Sequence, residues 1–170
     1  GKRIPVIVEG NERATGFDHP GQFPDNLLRV LDVLEHPVDP GGNLGARLKE
    51  PVREAMIVGK KIPRIFSGTS VQKAIQEIDR KNVGFVLITD KKNKLLGILT
   101  DGDVRRMIGN GVSFEGKTID EMMTRNPKTI DENATLAQAA EQMQKKEITA
   151  FAIVNGKKTL RGYIHMHDIL

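Results

Sequence analysis

The chain has 170 residues, of which 26 are basic and 22 acidic, so its formal net charge is +4. This length fits one domain of average size with an extension, and the lack of cysteine excludes disulfides and thiolate chemistry and suits a reducing cytoplasm. No apolar run reaches the roughly 18–20 residues of a membrane span. One Tyr, no Trp and no dense basic block argue against nucleic acid. We therefore expect a cytoplasmic protein with neither a membrane nor a nucleic-acid partner.

Residues 1–50 do not share the repeat that governs the rest of the chain, and we expect them to form an N-terminal extension or linker. The stretch 4–8 predicts a short strand, and the Gly/Pro/Asn/Asp-rich stretch 10–26 predicts a loop. Apolar residues at helical spacing predict a helix over 26–34. Because the sequence begins at Gly1 rather than at Met, we expect it to be a piece of a longer protein.

The first repeat is predicted over residues 51–113. Its elements are a short lead-in helix from Pro51, a strand at 62–65, a helix capped by Ser70, hairpin strands at 85–89 and 95–99, and a helix over 100–108. Ser70 is a typical N-cap in front of a helical apolar pattern. The two apolar runs around a charged turn are typical of a β-hairpin.

The second repeat, predicted over residues 114–170, follows the same order at a constant offset of 65 positions. Its elements are a lead-in helix at 119–123, a strand at 129–130, a helix capped by Thr135, hairpin strands at 150–154 and 160–165, and the start of a last helix. Thr135 with Gln138 has the pattern of a capping box, and Asn155-Gly156 is a turn signal. Two copies at one long period predict a tandem pair with two related clefts at its seam.

Each hairpin leads into a helix start that carries a carboxylate three residues on, with Thr100 and Asp103 in the first repeat and His165 and Asp168 in the second. Free N–H groups at a helix start attract phosphate, and a nearby carboxylate can accept hydrogen bonds from ribose hydroxyls. From these residues alone, a purely structural capping box is the preferred interpretation of Thr100 and Asp103. The second repeat favours a ligand role, because His165 is a poorer cap and Asp168 is nevertheless retained.

The order, spacing and duplication over residues 51–170 resemble those of a CBS-domain pair, also called a Bateman module. The resemblance implies an α+β fold of two β-α-β-β-α repeats related by a pseudo-twofold axis. It also implies that the Thr and Asp of the Gly-x-x-Thr-x-x-Asp motif contact the phosphate and ribose of an adenine nucleotide. The ligand-binding positions that follow are Ile62, Arg64, Gly84, Phe85, Thr100, Asp103, Thr129, Thr149, Ala150, His165 and Asp168. His165 departs from the family's Thr, which weakens the expectation for an adenine nucleotide at the second site.

Residues 39–48, 99–106 and 165–170 are also similar to the corresponding segments of bacterial D-arabinose 5-phosphate isomerases. The resemblance implies a catalytic sugar-isomerase (SIS) domain in the parent chain and a role in the supply of Kdo for lipopolysaccharide or capsule. Asp39 stands where that family has a catalytic His. Fifty residues cannot hold a SIS domain, so we expect no catalytic residue in this chain, no required cofactor, and an adenine nucleotide or CMP-Kdo as a regulatory ligand.

Three hypotheses follow from these patterns. The pair senses a nucleotide or nucleotide-sugar at its seam, or it binds nothing and holds a homodimer together, or the parent protein isomerises a sugar phosphate with residues that lie upstream. A metal centre is not expected, because His165 and His167 alternate at a strand end and should face opposite sides of the sheet.

Overall fold

The computed structural model describes residues 43–169. The predicted strand at 4–8, the predicted helix at 26–34 and Asp39 lie outside the described residues.

The described chain contains four α-helices, seven strands and several single-turn 3-10 helices. The helices are α1 (Asn43–Leu48), α2 (Val71–Lys81), α3 (Asp101–Gly109) and α4 (Leu136–Lys146). The strands are β1 (Arg64–Phe66), β2 (Phe85–Thr89), β3 (Leu95–Thr100), β4 (Thr124–Arg125), β5 (Thr129–Ile130), β6 (Ala150–Val154) and β7 (Leu160–His165). The 3-10 turns that matter below are Val52–Glu54, Ile119–Glu121 and Met166–Asp168.

The strands form two sheets whose first three strands have the same topology, and the first sheet has β4 as a fourth strand. The first has the order β1-β2-β3-β4 and the second β5-β6-β7, and in each the short first strand runs parallel to the hairpin. Phe85 pairs with Thr100 in one hairpin, and Ala150 pairs with His165 in the other. The two residue pairs lie 65 positions apart in the sequence. The shifts in pairing register near the far ends of the hairpins, at Ile88/Thr89 and Ile153/Val154, are also 65 positions apart. The α+β fold and the tandem repeat are therefore confirmed.

The predicted helix starts are also confirmed, because each rests on a local cap. Ser70 accepts a hydrogen bond from the amide of Lys73 at the start of α2. At the start of α4, Thr135 and Gln138 form a reciprocal capping box with distances of 3.1 and 2.9 Å. Caps of this kind satisfy amide groups that the helix itself leaves without a partner.

The segment that leads into the first repeat packs on the second repeat. The amide of Val52 donates to the carbonyl of Ala134 at 2.7 Å, and Ile57 and Tyr163 exchange two backbone hydrogen bonds of 2.8 and 3.1 Å. Leu48 and Val52 are buried in the core that α4 and the second sheet enclose. Burial against α4 thus anchors residues 48–57 to the opposite half of the molecule.

The segment that leads into the second repeat packs on the first in the same way. The amide of Ile119 donates to the carbonyl of Thr69 at 2.7 Å, and the side chains of Ile119, Met122 and Met123 are buried beneath α2 and α3. The predicted lead-in helices are wrong, since only the single 3-10 turns Val52–Glu54 and Ile119–Glu121 form. Isolated bridges to the opposite repeat, such as that between Pro51 and Thr135, hold the flanking backbone extended and prevent a longer helix.

Two glycines mark where these exchanged segments cross the sheets. A Cβ on Gly162 would lie 2.5 Å from the carbonyl oxygen of Ile57, and one on Gly97 would lie 2.8 Å from that of Thr124. Real Cβ atoms do not approach backbone so closely, so each crossing depends on glycine.

The two sheets meet in a third apolar cluster on the pseudo-twofold axis. Its buried members are Phe85, Leu87, Leu95, Ala152, Leu160 and Tyr163. At the hairpin turns the repeats are joined by backbone hydrogen bonds from Leu95 to Lys158 and from Leu160 to Asn93, both 2.9 Å. The seam is therefore a packed interface.

Candidate functional site

A narrow cleft opens at the seam, where the repeats meet at the ends of their sheets. The cavity itself is small, about 30 Å³, and the rest of the depression is open to solvent. The residues that line it are Phe85, Leu87, Ile98, Thr100, Pro127, Lys128, Ile148, Ala150, Phe151 and Ala152. We call it the Thr100 cleft. It brings together three of the predicted positions, Phe85, Thr100 and Ala150, from both repeats.

Thr100 and Asp103 form a buried capping box at the start of α3. The hydroxyl of Thr100 accepts a hydrogen bond from the Asp103 amide, and the Asp103 carboxylate accepts one from the Thr100 amide, both at 3.1 Å. Asp103 is 4% exposed, and its second oxygen accepts a hydrogen bond from the guanidinium of Arg106. A ribose hydroxyl that bound this carboxylate would therefore have to compete with Arg106.

A second carboxylate, that of Asp101, stands beside this cap. Burial raises the pKa of the Asp101 carboxyl, and the guanidinium of Arg105, 3.9 Å away, acts in the opposite direction. Both acidic groups in the first turn of α3 thus have a cation nearby. The negative charge at the cleft's edge is largely compensated within α3 itself.

His165 and Asp168 form the corresponding capping box in the second repeat. The Asp168 carboxylate accepts a hydrogen bond from the His165 amide at 2.9 Å, and Nδ1 of His165 accepts one from the amide of His167 at 3.2 Å. The argument that His165 caps poorly is wrong, because the imidazole nitrogen replaces the hydroxyl as acceptor. Asp168 therefore has a structural reason to be present, and its retention does not by itself indicate a ligand.

The rings of His165 and His167 stack, with centroids 4.7 Å apart. The prediction that they face opposite sides is wrong, because side chains two residues apart along a strand lie on the same face, and the 3-10 turn after His165 keeps the two rings together. Burial, and next the neighbouring His167, lower the pKa of His165 to about 4. The ring is therefore neutral at pH 7, and the bond to Nδ1 places its hydrogen on Nε2.

Residues 43–169 contain no cluster of three or more His, Cys, Asp or Glu that could hold a metal.

Tyr163 lies on the second repeat's side of the seam. Its ring packs edge-on against Phe85 with centroids 5.3 Å apart, and the side chain is only 5% exposed. Burial, and next the charge of Asp168, raise the pKa of the Tyr163 hydroxyl. The buried ring is therefore part of the packing at the seam.

The other predicted positions play backbone or packing roles. The carbonyls of Gly84 and Thr149 accept hydrogen bonds from Asp101 and Met166, at 2.9 and 2.8 Å, and so tie the start of each hairpin to the following helical turn. Ile62 packs into the seam cluster. These three positions adjoin the clefts without lining the Thr100 cleft.

Arg64 and Thr129 lie apart from that cleft. The guanidinium of Arg64 donates to the Asn93 side chain at 2.6 Å and lies over the ring of Phe66, which directs it towards the hairpin turn. Thr129 is exposed on β5, where it pairs with Ala152.

Sequence reasoning missed Pro127 and Lys128 as cleft residues. They precede β5 in a turn where Asn126 has a φ of 53°, and no motif marks them. The available signal was the repeat offset, which places them opposite Ile62 and Pro63 of the first repeat.

Within the described chain, no helix is long and apolar enough to cross a membrane.

Two pseudo-symmetric repeats packed about a seam cleft, the first β-α-β-β-α and the second β-α-β-β followed by the 3-10 turn Met166–Asp168, define a CBS-domain pair. The CBS domain family model matches residues 52–110 and 119–170, which is more than half of the chain. The chain therefore belongs to the CBS-domain family.

Among curated proteins, the chain is similar to arabinose 5-phosphate isomerases. It is 38% identical over 131 residues to KdsD of Pseudomonas aeruginosa, a match that covers 77% of this chain and 40% of that protein. It is 35% identical over 138 residues to KdsD of Escherichia coli K12, covering 81% and 41%. The chain thus spans about two fifths of the length of these relatives.

Among solved structures, the CBS-domain pair of protein MJ0100 in complex with 5′-methylthioadenosine and S-adenosyl-L-methionine is 28% identical, with a TM-score of 0.61. The match covers 71% of this chain and 92% of that one. CBSX2 in complex with AMP is 20% identical with a TM-score of 0.62, and the match covers 70% of this chain and 92% of that one. The second likeness shows the fold alone.

Proposed function

We propose that this CBS pair is the regulatory half of a sugar-phosphate isomerase and binds a nucleotide or nucleotide-sugar at its seam. The observation that carries the proposal is the Thr100 cleft, which combines apolar walls from both repeats with a hydroxyl and an ammonium group. Apolar walls suit a planar base, and a few polar groups fix its orientation. The similarity to the MJ0100 pair, which was solved in complex with 5′-methylthioadenosine and S-adenosyl-L-methionine, supports a ligand of this class.

A ligand at the seam regulates an attached domain only if it binds two arrangements of the pair with different affinity. The exchanged lead-in segments provide a physical connection. Leu48 is buried against the second repeat, and Arg47 in α1 donates to the carbonyls of Asp168 and Ile169 at 2.9 and 3.0 Å. A shift of the second repeat would therefore move α1 and the chain that precedes it.

In this proposal the isomerase chemistry belongs to the part of the relatives' length that this chain does not span. The parent protein interconverts a ketose and an aldose phosphate, and the pair needs no cofactor of its own. Measurable ketose–aldose interconversion by the 170-residue chain would contradict this assignment.

The test is a thermal-shift panel with AMP, ADP, ATP, CMP, CMP-Kdo and sugar phosphates. One nucleotide or nucleotide-sugar should raise the melting temperature, because a ligand that binds only the folded state stabilises it. Asp103→Asn removes a charge and keeps an oxygen that can accept from the Thr100 amide, so it tests the cleft without removing the cap. Asp168→Asn is the matched variant in the other repeat. No shift with any compound would contradict nucleotide sensing.

A second candidate function is assembly of a homodimer without a ligand. A groove on the helical face of the first repeat supports it, with Ile75, Val104, Ile108 and Phe114 among its lining residues. Ile108 is 61% exposed, which is costly for a side chain of this size unless a partner covers it.

Ile108→Lys should convert such a dimer to a monomer in analytical ultracentrifugation. Val58→Lys is the matched control, because Val58 is 51% exposed and lies outside the groove. A monomeric wild-type chain, or a dimer that is unaffected by Ile108→Lys, would contradict this candidate.

A further inference from the structure

The two clefts that the pseudo-symmetry predicts are lined by different side chains. At the offset of 65 positions, Ile98 and Thr100 correspond to Tyr163 and His165, and Lys128 corresponds to Pro63. One cleft is therefore bounded by a hydroxyl and a cation. The other is bounded by two aromatic rings and a proline.

We propose that the pair binds one ligand per chain, in the Thr100 cleft, and that Lys128 makes this cleft select a ligand that carries an anionic group. This inference rests on the proposed function. It adds the charge of the ligand, the residue that recognises that charge, and the number of sites.

Lys128 is the charged side chain among the ten residues that line the cleft. It is exposed, and no ion pair joins it to any acidic group within residues 43–169. The nearby acidic groups Asp101 and Asp103 instead have Arg105 and Arg106 beside them. The ammonium group of Lys128 thus remains for a phosphate or carboxylate of a ligand, which it would hold by a charge-assisted hydrogen bond.

Thr100 adds a directional contact on the other side of the cleft. Its hydroxyl accepts from the Asp103 amide, and a hydroxyl can donate at the same time as it accepts. The remaining walls are the apolar side chains of both repeats. A molecule with an apolar planar part and an anionic end matches this distribution.

The corresponding side of the second repeat carries a larger side chain. By the offset, Tyr163 takes the place of Ile98, and its ring is 5% exposed and packs edge-on against Phe85. His165 is neutral at pH 7 and Pro63 has no charge, so this side offers no cation among the residues that correspond to the Thr100 cleft. This is why we expect one site rather than two.

The experiment is isothermal titration of the 170-residue chain with two matched pairs of probes, AMP with adenosine and CMP with cytidine. We expect one site per chain and an affinity for one nucleotide about tenfold higher than for its nucleoside, the size of one charge-assisted contact. Lys128→Gln should remove that difference and leave nucleoside binding unchanged. Lys128→Arg should keep it, and Lys146→Gln, an exposed lysine at the end of α4, is the control.

The outcomes separate the two proposals. A chain that binds a nucleoside and its nucleotide equally, keeps its preference in Lys128→Gln, or takes up two ligands overturns the inference and leaves nucleotide sensing intact. A chain that binds none of the four probes overturns the inference, and nucleotide sensing then fails only if the larger thermal-shift panel is also without effect.

Discussion

Thr100 and His165 occupy equivalent positions at the ends of β3 and β7, and the two caps differ in side chain while the hydrogen bond to the cap's own amide is the same. Asp103 and Asp168 each accept from the cap's own amide, whereas Thr100 accepts from the amide three residues on and His165 from the amide two residues on. The shared part of the comparison is therefore structural, since both carboxylates complete a helix start. The two sides of the seam differ in the side chain they present, a hydroxyl at Thr100 and an imidazole at His165. We therefore expect ligand recognition to depend on these side chains and not on the shared caps.

We expect the largest effect on the free energy of unfolding from substitutions in the exchanged lead-in segments. Ile119 is fully buried, and Ile119→Ala should lower the free energy of unfolding by about 3 kcal/mol through lost burial and a residual cavity. Although Ile119 precedes the second repeat in sequence, the largest amide chemical-shift changes should fall in α2 and α3 of the first.

Val52→Ala is the matched change, since Val52 is also fully buried but packs on the second repeat. Its largest chemical-shift changes should fall in α4 and β6. If each substitution perturbed mainly the repeat that follows it in sequence, the exchange would be wrong.

The next largest effect on the free energy of unfolding is expected at Gly162 and Gly97, where the lead-in segments cross the sheets. Gly162→Ala places a Cβ 2.5 Å from the carbonyl oxygen of Ile57, which is backbone and cannot rotate away. We expect a loss of about 2 kcal/mol in urea unfolding, the usual cost of overpacking, and a similar loss for Gly97→Ala. Gly109→Ala, where a Cβ would contact nothing within 4 Å, should change stability little or raise it. Equal losses at all three positions would argue against the crossings.

The imidazole cap makes the second repeat sensitive to acid. The folded pKa of His165 is about 4, below its ordinary value of 6.5, so its contribution is complete above pH 6.5 and is lost as the pH falls towards 4. Between pH 7 and pH 5 the wild type should lose about 1–2 kcal/mol that His165→Thr does not lose.

The comparison is between urea unfolding curves at the two pH values. His167→Thr removes an exposed imidazole from the same turn and serves as the control, and it should keep most of the wild-type loss. If His165→Thr lost as much stability as the wild type, the imidazole would not be the source of the sensitivity.

The helix caps should give the smallest effect, and a graded one. Thr135→Ala removes a two-way capping box and should cost about 1 kcal/mol. Ser70→Ala removes a single 3.3 Å hydrogen bond and should cost less. Thermal unfolding of the two variants would show the order, and a larger cost at Ser70 would contradict it.

The sequence predicted the elements whose conformation is decided locally. The helices after Ser70 and Thr135 and both hairpins follow from caps and from the spacing of apolar residues. The prediction of the lead-in helices was wrong because the backbone there pairs with the edge of the other repeat. Such a long-range contact leaves no signal in the local sequence pattern. The prediction that His165 and His167 face opposite sides was wrong because residues two apart along a strand share a face, and the two rings stack.

The candidate site was predicted in part. Phe85, Thr100 and Ala150 were identified through the family resemblance, and they do line one cleft. Lys128 could not be found this way, because a turn and not a motif brings it to the cleft. Tyr163 looked like an ordinary strand residue until the offset placed it opposite Ile98.

The exchanged segments also bear on how such a pair could arise by gene duplication. A chain that held only residues 51–113 would carry Val52 with no core of its own to enter, and its sheet would lack the cover that Ile119, Met122 and Met123 provide. A single-repeat ancestor could close both cores by trading its lead-in segment with an identical chain, as a twofold dimer does. In this view, fusion of the two genes joined chains that were already interlocked. Each half was then free to change its seam side chains separately, while the shared crossings at Gly97 and Gly162 were kept.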